Sequence, residues 1–150
     1  ATLPGDAPWP VSEITNQIAF IRRSDPAPGH IHWSESALMK NASLAAVLGR
    51  DTYSQPALVP RFPWLGSTPP AKPELRVTPD SNGATARWSS TNRVALWLMQ
   101  TRQFNDWKTQ ILPASNSGYK FDLQPELIAV TAVDRNGNLS APMVMRFEKQ

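Results

Sequence analysis

Residues 127–140, LIAVTAVDRNGNLS, decide the fold of the C-terminal half of this chain. An apolar run with high strand propensity meets Asn136-Gly137 and then breaks. Asn-Gly between two apolar runs is the strongest short-range signal for a β-hairpin, because both residues tolerate a positive φ. The second run places three apolar side chains on one face: Met143, Met145 and Phe147. We therefore predict a terminal β-hairpin whose apolar face is covered by a second sheet.

Alternation with a period of two continues upstream of the hairpin, from residue 73 onward. Leu75 and Val77 alternate with polar residues, Asn82-Gly83 marks a turn, and Trp88 is assigned to the core. Further strands are predicted at 93–101, 107–112 and 119–123, the last with Tyr119, Phe121 and Leu123 facing inward. Seven short strands separated by turn signals predict an all-β sandwich over residues 73–150.

One predicted strand, RVALWLMQ at 93–100, is apolar on both faces. Leu96 and Leu98 lie on one face, and Trp97 and Met99 lie on the other with Ala95. A sandwich strand does not leave Trp and Met in water together. We therefore expect the face of Trp97 to be covered by an N-terminal helix or by the proline-rich segment that precedes the strands.

Residues 1–53 follow a helical period instead. Ser12 is the predicted N-cap of a first helix, which carries Ile14, Ile18 and Ile21 at i, i+4 and i+7. HIHWS at 30–34 resembles a short strand. A second helix is predicted to begin after Ser34 or Ser36, with Gly49 as its C′ residue and with these side chains on one face: Leu38, Ala42, Ala45 and Leu48.

Residues 54–72 form a proline-rich connector between these parts. Proline fixes φ and removes a hydrogen-bond donor, so neither a helix nor a central strand is expected there. The connector also holds Leu58, Phe62 and Trp64, which predicts that it lies against a surface, with Trp64 as an anchor. The predicted fold class is α+β: a two-helix N-terminal segment with one short strand, the connector, and the sandwich.

Composition excludes several classes of protein. The net charge is +3, and residues 1–72 and 73–150 carry similar excesses of positive charge, so no basic stripe for nucleic acid is predicted. The chain has no cysteine, which excludes disulfides and thiolate sites. No apolar run approaches the ~20 residues of a membrane span, and ATLPGDAPWP at 1–10 does not have the pattern of a secretion signal.

Three segments together carry a resemblance to a known family. GHIHWS at 29–34, YSQPALVPRFPWL at 53–65 and VTAVDRNGNLS at 130–140 resemble the C-terminal part of bacterial glycosyl-hydrolase-like family 10 proteins. Those proteins are envelope-associated (β/α)8 barrels, often lipoproteins, implicated in cleaving glycan such as peptidoglycan. A fibronectin type III-like module follows the barrel in that family.

The resemblance implies that residues 1–66 correspond to the end of a barrel and residues 73–150 to the fibronectin-like module. A barrel sheet closes only when neighbouring strands pair all the way round, and one strand cannot close it. The implied function is therefore that of a non-catalytic C-terminal portion of a bacterial cell-envelope or periplasmic glycoside hydrolase. Its sandwich would brace the barrel or help present glycan, which is the implied partner.

Candidate site residues are few. Glycoside hydrolysis usually needs two carboxylates, and the N-terminal acids Glu13 and Glu35 suit helix N-termini better than catalysis, so no catalytic residue is assigned. Trp33 would end the eighth strand of the parent barrel, where an aromatic ring can stack on a sugar, and Trp9 is a weaker second candidate. His30 and His32 share a face and could chelate a metal, but no third ligand is evident, so no metal or cofactor is predicted.

Two alternatives remain beside that reading. The chain could be a stand-alone module of fibronectin type III-like fold that binds a protein or a carbohydrate, or an intact small enzyme. Bracing needs Trp97 and Trp64 buried, whereas sugar stacking needs exposed, coplanar aromatic rings. The exposure of these two rings therefore discriminates between the first two readings, and activity on a glycan discriminates the third.

Overall fold

The computed structural model describes residues 10–24, 29–32, 35–81 and 83–147. The sugar-stacking candidates Trp9 and Trp33 lie outside these residues, as do the cap candidate Ser34 and the turn residue Asn82. The chain divides into two compact units, Ala1–Ser54 and Gln55–Gln150, each with its own packing.

The first unit is helical. Its elements are α1 (Val11–Ser24), α2 (Glu35–Lys40), α3 (Ala42–Val47) and a π-helical turn at Leu48–Thr52. Ile18 of α1 packs against Leu44 and Leu48, and these are the buried residues of its small core. Ile18 and Leu48 were predicted to face inward, and Ile14 and Leu38 pack against them. The predicted face of the second helix is wrong at Ala42 and Ala45, which are exposed, because Leu44 is buried in their place.

The ends of the helices differ from the prediction. The first helix begins at Val11, so Ser12 lies within it and does not cap it. The predicted second helix is interrupted at Asn41, whose Oδ1 accepts a hydrogen bond from the backbone N–H of Leu44 at 3.0 Å. A short amide side chain competes with the helical backbone for its N–H groups, so Asn41 starts a new helix.

Gly49 does not follow the end of a helix either. It lies inside the π-helical turn, which the backbone N–H of Tyr53 closes by donating to the carbonyl of Leu48 at 2.7 Å. The described residues of HIHWS, His30 to His32, are irregular chain, and the described part of this unit contains no β-ladder that could pair with them.

The second unit is a β-sandwich, as the alternation predicted. Its strands are β1 (Glu74–Pro79), β2 (Ala84–Ser89), β3 (Leu96–Gln103), β4 (Asp106–Pro113), β5 (Gly118–Phe121), β6 (Leu127–Val133) and β7 (Met143–Arg146). They form a three-stranded sheet in the order β1-β2-β5 and a four-stranded sheet in the order β4-β3-β6-β7, with antiparallel pairing throughout.

Two tryptophans join the sheets at the centre of the core. Trp88 of β2 and Trp97 of β3 are both buried, and their rings meet edge to face with centroids 6.3 Å apart. Each indole N–H finds an acceptor, the carbonyl of Asn116 at 3.0 Å for Trp88 and that of Ala114 at 3.3 Å for Trp97. Such a pair contributes more than its buried area alone because the ring quadrupoles attract.

The face of β3 that carries Trp97 and Met99 is therefore the inner face of the sandwich. Trp97 is 4% exposed and Met99 1% because the opposite sheet covers them, so the predicted cover by a helix or by the connector is wrong. A strand that is apolar on both sides does not reveal which side is inner. Leu123 was also assigned wrongly, since it follows the end of β5 and is exposed.

The terminal hairpin uses a different turn from the one that Asn-Gly suggested. Gly137 has a φ of +80°, but Asn136 is not among the described non-glycine residues with positive φ. The N–H of Gly137 donates to the carbonyl of Asp134 at 3.2 Å, which is the pattern of a β-turn followed by a glycine bulge. The two-residue turn with positive φ lies instead between β3 and β4, at Phe104 (50°) and Asn105 (64°).

Residues 55–66, called the strap below, are hydrogen-bonded to the sandwich near both ends. The side chain of Gln55 accepts from the backbone N–H of Thr109 at 3.0 Å on the edge strand β4. The backbone N–H of Phe62 donates to the carbonyl of Asn136 at 2.8 Å. The strap thus satisfies a donor of an edge strand and fastens to the turn after β6.

Candidate functional site

Three side chains that can bind metals or exchange protons converge in the helical unit. Nε2 of His32 lies 2.6 Å from the hydroxyl oxygen of Tyr53, and Nε2 of His30 makes a hydrogen bond to the same oxygen. The two imidazole rings meet edge to face with centroids 5.2 Å apart. A hydroxyl has one proton, so one imidazole accepts it while the other donates to the oxygen.

The π-helical turn brings Tyr53 to this cluster. An ordinary α-helical end at Leu48 would present residue 52 at this point, whereas the i to i+5 hydrogen bond adds one residue to the turn. Turns of this kind recur at functional sites because they redirect a side chain. Tyr53 is 21 residues from His32, so no local sequence signal could have joined them.

Arg22 of α1 adds a positive charge to the cluster. Its guanidinium donates to the carbonyl of Thr52 at 3.0 Å and lies 5.6 Å from the centre of the Tyr53 ring, in cation–π contact. Burial of His30, together with the charges of His32 and Arg22, lowers the pKa of the His30 imidazole. Burial also raises the pKa of Tyr53, and Arg22 acts against that shift. A neutral His30 keeps its lone pair available as an acceptor or ligand.

A second candidate lies in the sandwich unit, where the strap meets the turn after β6. The side-chain amide of Asn136 donates to the carbonyl of Leu65 at 3.1 Å, and that of Asn138 donates to the carbonyl of Gly66 at 2.8 Å. Added to the Phe62 bond, these contacts fix the 3-10 turn at Pro63–Leu65.

Asp134 organises the turn that receives the strap. One carboxylate oxygen accepts from the backbone N–H groups of Asn136 and Asn138, at 2.8 and 2.9 Å, and the other accepts from the Asn138 side chain at 2.9 Å. Burial acts to raise the pKa of Asp134, but these hydrogen bonds and the charge of Arg135 outweigh it and lower the pKa. The carboxylate therefore serves the turn as an ionised acceptor.

Trp64 projects from this fixed turn into solvent. It is 75% exposed, so its predicted role as an anchor of the strap is wrong. Phe62 is the more buried of the two rings, since its side chain is half-buried. The two rings meet at 67° with centroids 5.4 Å apart. They do not make a coplanar platform, but most of the Trp64 side chain is exposed to solvent.

Three of the described carboxylates, those of Asp51, Glu13 and Asp134, are engaged by their own neighbours. Asp51 is exposed and accepts both hydrogen bonds of the neighbouring Arg50 side chain, at 2.7 and 2.8 Å, which lowers the pKa of Asp51. Glu13 accepts from Gln17 at 2.9 Å within α1. A general acid needs a raised pKa, so the lowered values at Asp51 and Asp134 point away from that role. The described residues contain no cluster of three or more His, Asp or Glu side chains arranged to hold a metal.

Comparison with known proteins finds one curated relative. The chain is similar to "Glycosyl hydrolase YngK" of Bacillus subtilis (strain 168), with 43% identity over 81 residues. The match covers 52% of this chain and 16% of that protein, so the chain corresponds to a small part of its relative. It is therefore homologous to part of a glycosyl hydrolase. No protein-family model matches the chain.

Two solved structures match part of the chain. An FN3 domain of human collagen XX superposes with a TM-score of 0.43 at 14% identity, over 61% of this chain and 100% of that one. The spore cortex lytic enzyme SleM of Clostridium perfringens superposes with a TM-score of 0.39 at 16% identity, over 53% of this chain and 29% of that one. None of the described helices is long and apolar enough to cross a membrane.

Proposed function

We propose that this chain is a non-catalytic C-terminal portion of a bacterial cell-envelope glycoside hydrolase that acts on glycan such as peptidoglycan. Residues 1–53 would be the end of its (β/α)8 barrel, 54–72 the connector, and 73–150 a fibronectin type III-like module. The observation that carries the proposal is the 43% identity over 81 residues to a glycosyl hydrolase. The family proposed is glycosyl-hydrolase-like family 10, on the three segments quoted above.

The contacts of three described carboxylates support a non-catalytic role. Asp134 is committed to a turn, Asp51 to Arg50, and Glu13 to its own helix. Glycoside hydrolysis by two carboxylates requires them to face each other across a site, at roughly 5 to 10 Å. The catalytic pair is proposed to lie elsewhere in the parent hydrolase.

Within that role, the exposure of Trp97 and Trp64 was expected to discriminate between bracing the barrel and presenting glycan. Trp97 is buried by the opposite sheet of the sandwich, so its burial does not discriminate between bracing and presentation. The exposed Trp64 favours glycan presentation, because an indole held on a fixed turn loses little entropy when a sugar ring stacks on it. We propose Trp64 as the glycan-contacting residue of the module.

Co-sedimentation with purified peptidoglycan tests this role. The chain is expected to sediment with the glycan weakly, and Trp64→Ala to reduce the bound fraction severalfold. Trp107→Ala is the matched control, since Trp107 is also an exposed tryptophan of the sandwich unit. Binding that Trp64→Ala leaves unchanged would remove Trp64 from the proposal, and a complete lack of binding would leave bracing as the role of the module.

A stand-alone interaction module is the second candidate, and the β3–β4 turn favours it. Phe104 is 73% exposed and adopts a left-handed conformation, which is costly for a bulky residue. Residues with strained backbone conformations cluster at ligand-binding and switch sites. A protein partner whose binding is lost in Phe104→Ala and retained in Trp64→Ala would favour this alternative.

A further inference from the structure

We propose that His30, His32 and Tyr53 form a binding site for a divalent transition-metal ion of the Zn²⁺ class. The site is independent of the proposed role in glycan hydrolysis, because it rests on the geometry of the helical unit alone. It assigns a function to a histidine pair for which the sequence supplied no third ligand.

The donor atoms already converge. Both Nε2 atoms make hydrogen bonds to the hydroxyl oxygen of Tyr53, so this oxygen lies beside both imidazole nitrogens. In a tetrahedral zinc site with bonds of about 2.0 Å, ligand atoms lie roughly 3.3 Å apart. The hydroxyl would therefore have to retreat by less than about 1 Å, which a surface tyrosine can do by rotation of its side chain.

The chemistry of the donors selects the class of ion. Two imidazoles and a phenolate suit Zn²⁺ and Cu²⁺, whereas Mg²⁺ and Ca²⁺ prefer sites built from carboxylate, carbonyl and water oxygens. Tyr53 is 40% exposed, so water can occupy the fourth position. Three protein ligands with one open position is the arrangement of zinc sites that exchange a ligand.

Arg22 has two opposed effects on such a site. Its charge repels a cation, but it also stabilises the phenolate form of Tyr53 that a metal requires. The negative charge of the Tyr53 phenolate and the positive charge of the Arg22 guanidinium offset each other. The other two ligands of the ion are neutral imidazoles. The guanidinium of Arg22 is itself engaged, because it donates to the Thr52 carbonyl at 3.0 Å.

The composition of the chain leaves few competing metal ligands. It has two histidines, two tyrosines and no cysteine, so no thiolate competes for the ion. The whole chain is titrated with ZnCl2 by isothermal calorimetry, and the two histidine Cε1–H resonances are followed by NMR. We expect one ion per chain, with both resonances shifting together, and no response to MgCl2.

Variants assign the ligands. Removing a ligand should cost at least as much as removing a partner of a ligand, which is on the order of 10- to 100-fold in affinity. His30→Ala, His32→Ala and Tyr53→Phe should each weaken zinc binding by that factor. Tyr119→Phe is the matched control, because its hydroxyl contacts Gln110 in the sandwich unit, and it should bind zinc as the unchanged chain does.

Three results would overturn the site. Zinc binding that is weak and not saturable at one ion per chain would show that the cluster is a hydrogen-bonded one only. Unchanged affinity in Tyr53→Phe would remove Tyr53 as a ligand. Unchanged affinity in either histidine variant would do the same for that histidine, and the variants' far-ultraviolet circular dichroism separates loss of a ligand from loss of folding.

Discussion

The two units of this chain differ in the size of their hydrophobic cores. The sandwich closes a core around eight buried side chains from both sheets, with a tryptophan from each at its centre. The helical unit buries Ile18, Leu44 and Leu48. Alternation over seven strands determines a core because every strand must present one face to the other sheet, whereas three short helices leave more than one way to pack. The predictions below test that contrast.

The largest effect is expected at the centre of the sandwich. Trp88→Ala removes a buried indole, its edge-to-face contact with Trp97 and a hydrogen bond to Asn116. We expect the free energy of unfolding to fall by about 3–5 kcal/mol in a denaturant melt. Trp64→Ala is the control and should change it by less than about 0.5 kcal/mol because Trp64 is exposed. A loss below about 1 kcal/mol for Trp88→Ala would show that this core is not closed.

The helical unit should respond to Ile18→Ala by roughly 2–4 kcal/mol of local stability. Ile18 is buried against Leu44 and Leu48, so its loss opens the centre of that core. Hydrogen exchange should show reduced protection in α1 and α3, while the amides of β3 and β6 keep theirs. Phe20→Ala on the same helix is exposed and should leave exchange unchanged. Equal loss of protection in the strands would mean that the two cores unfold as one.

Gly137→Ala should loosen the strap. A Cβ there would lie 2.9 Å from the Cα of Arg61, and the φ of +80° is unfavourable for alanine. A non-glycine residue in this region costs about 1–3 kcal/mol, which should appear in the melt and as faster exchange at the Phe62 amide. Gly49→Ala is the control, since nothing lies within 4 Å of its Cβ position. Unchanged exchange at Phe62 would show that the strap does not rest on this turn.

The smallest effect is the acid dependence of the same contact. The pKa of Asp134 is lowered in the folded chain, so its contribution is fully present above pH ~4, its ordinary value, and is lost as the pH falls through the lowered value. The NMR shifts of the Asn136 and Asn138 amides should move together over that range. Asp134→Asn should abolish the movement. Amides that titrate independently of Asp134 would contradict the assignment.

Much of the sandwich could be predicted from the sequence, because alternation and turn residues are local signals. Asn136-Gly137 located the terminal turn, although only Gly137 takes the positive φ. The turn at Phe104-Asn105 was missed, because phenylalanine is not a turn residue and is held there by the pairing of β3 with β4. The inner face of β3 was misassigned, because the partners of Trp97 are set by the opposite sheet.

The site in the helical unit could be predicted only in part. The spacing of His30 and His32 was visible in the sequence. Tyr53 reaches them through a π-helical turn, which is defined by the hydrogen bond from the Tyr53 N–H to the Leu48 carbonyl. No residue pattern in the sequence predicts such a turn. Trp64 was placed correctly in the strap, but its side chain was predicted to be buried and is exposed. The position of the strap depends on hydrogen bonds from the side-chain amides of Asn136 and Asn138, which the sequence does not show.

We propose that this chain serves a glycan hydrolase without performing the hydrolysis itself. The most direct test is the release of reducing ends from peptidoglycan glycan strands that have been stripped of peptides, with the purified chain at high concentration. We predict release no greater than that of the heat-denatured chain. Release that persists through repurification, and that a single substitution such as Glu13→Gln or Glu35→Gln abolishes, would show that the chain is itself an enzyme.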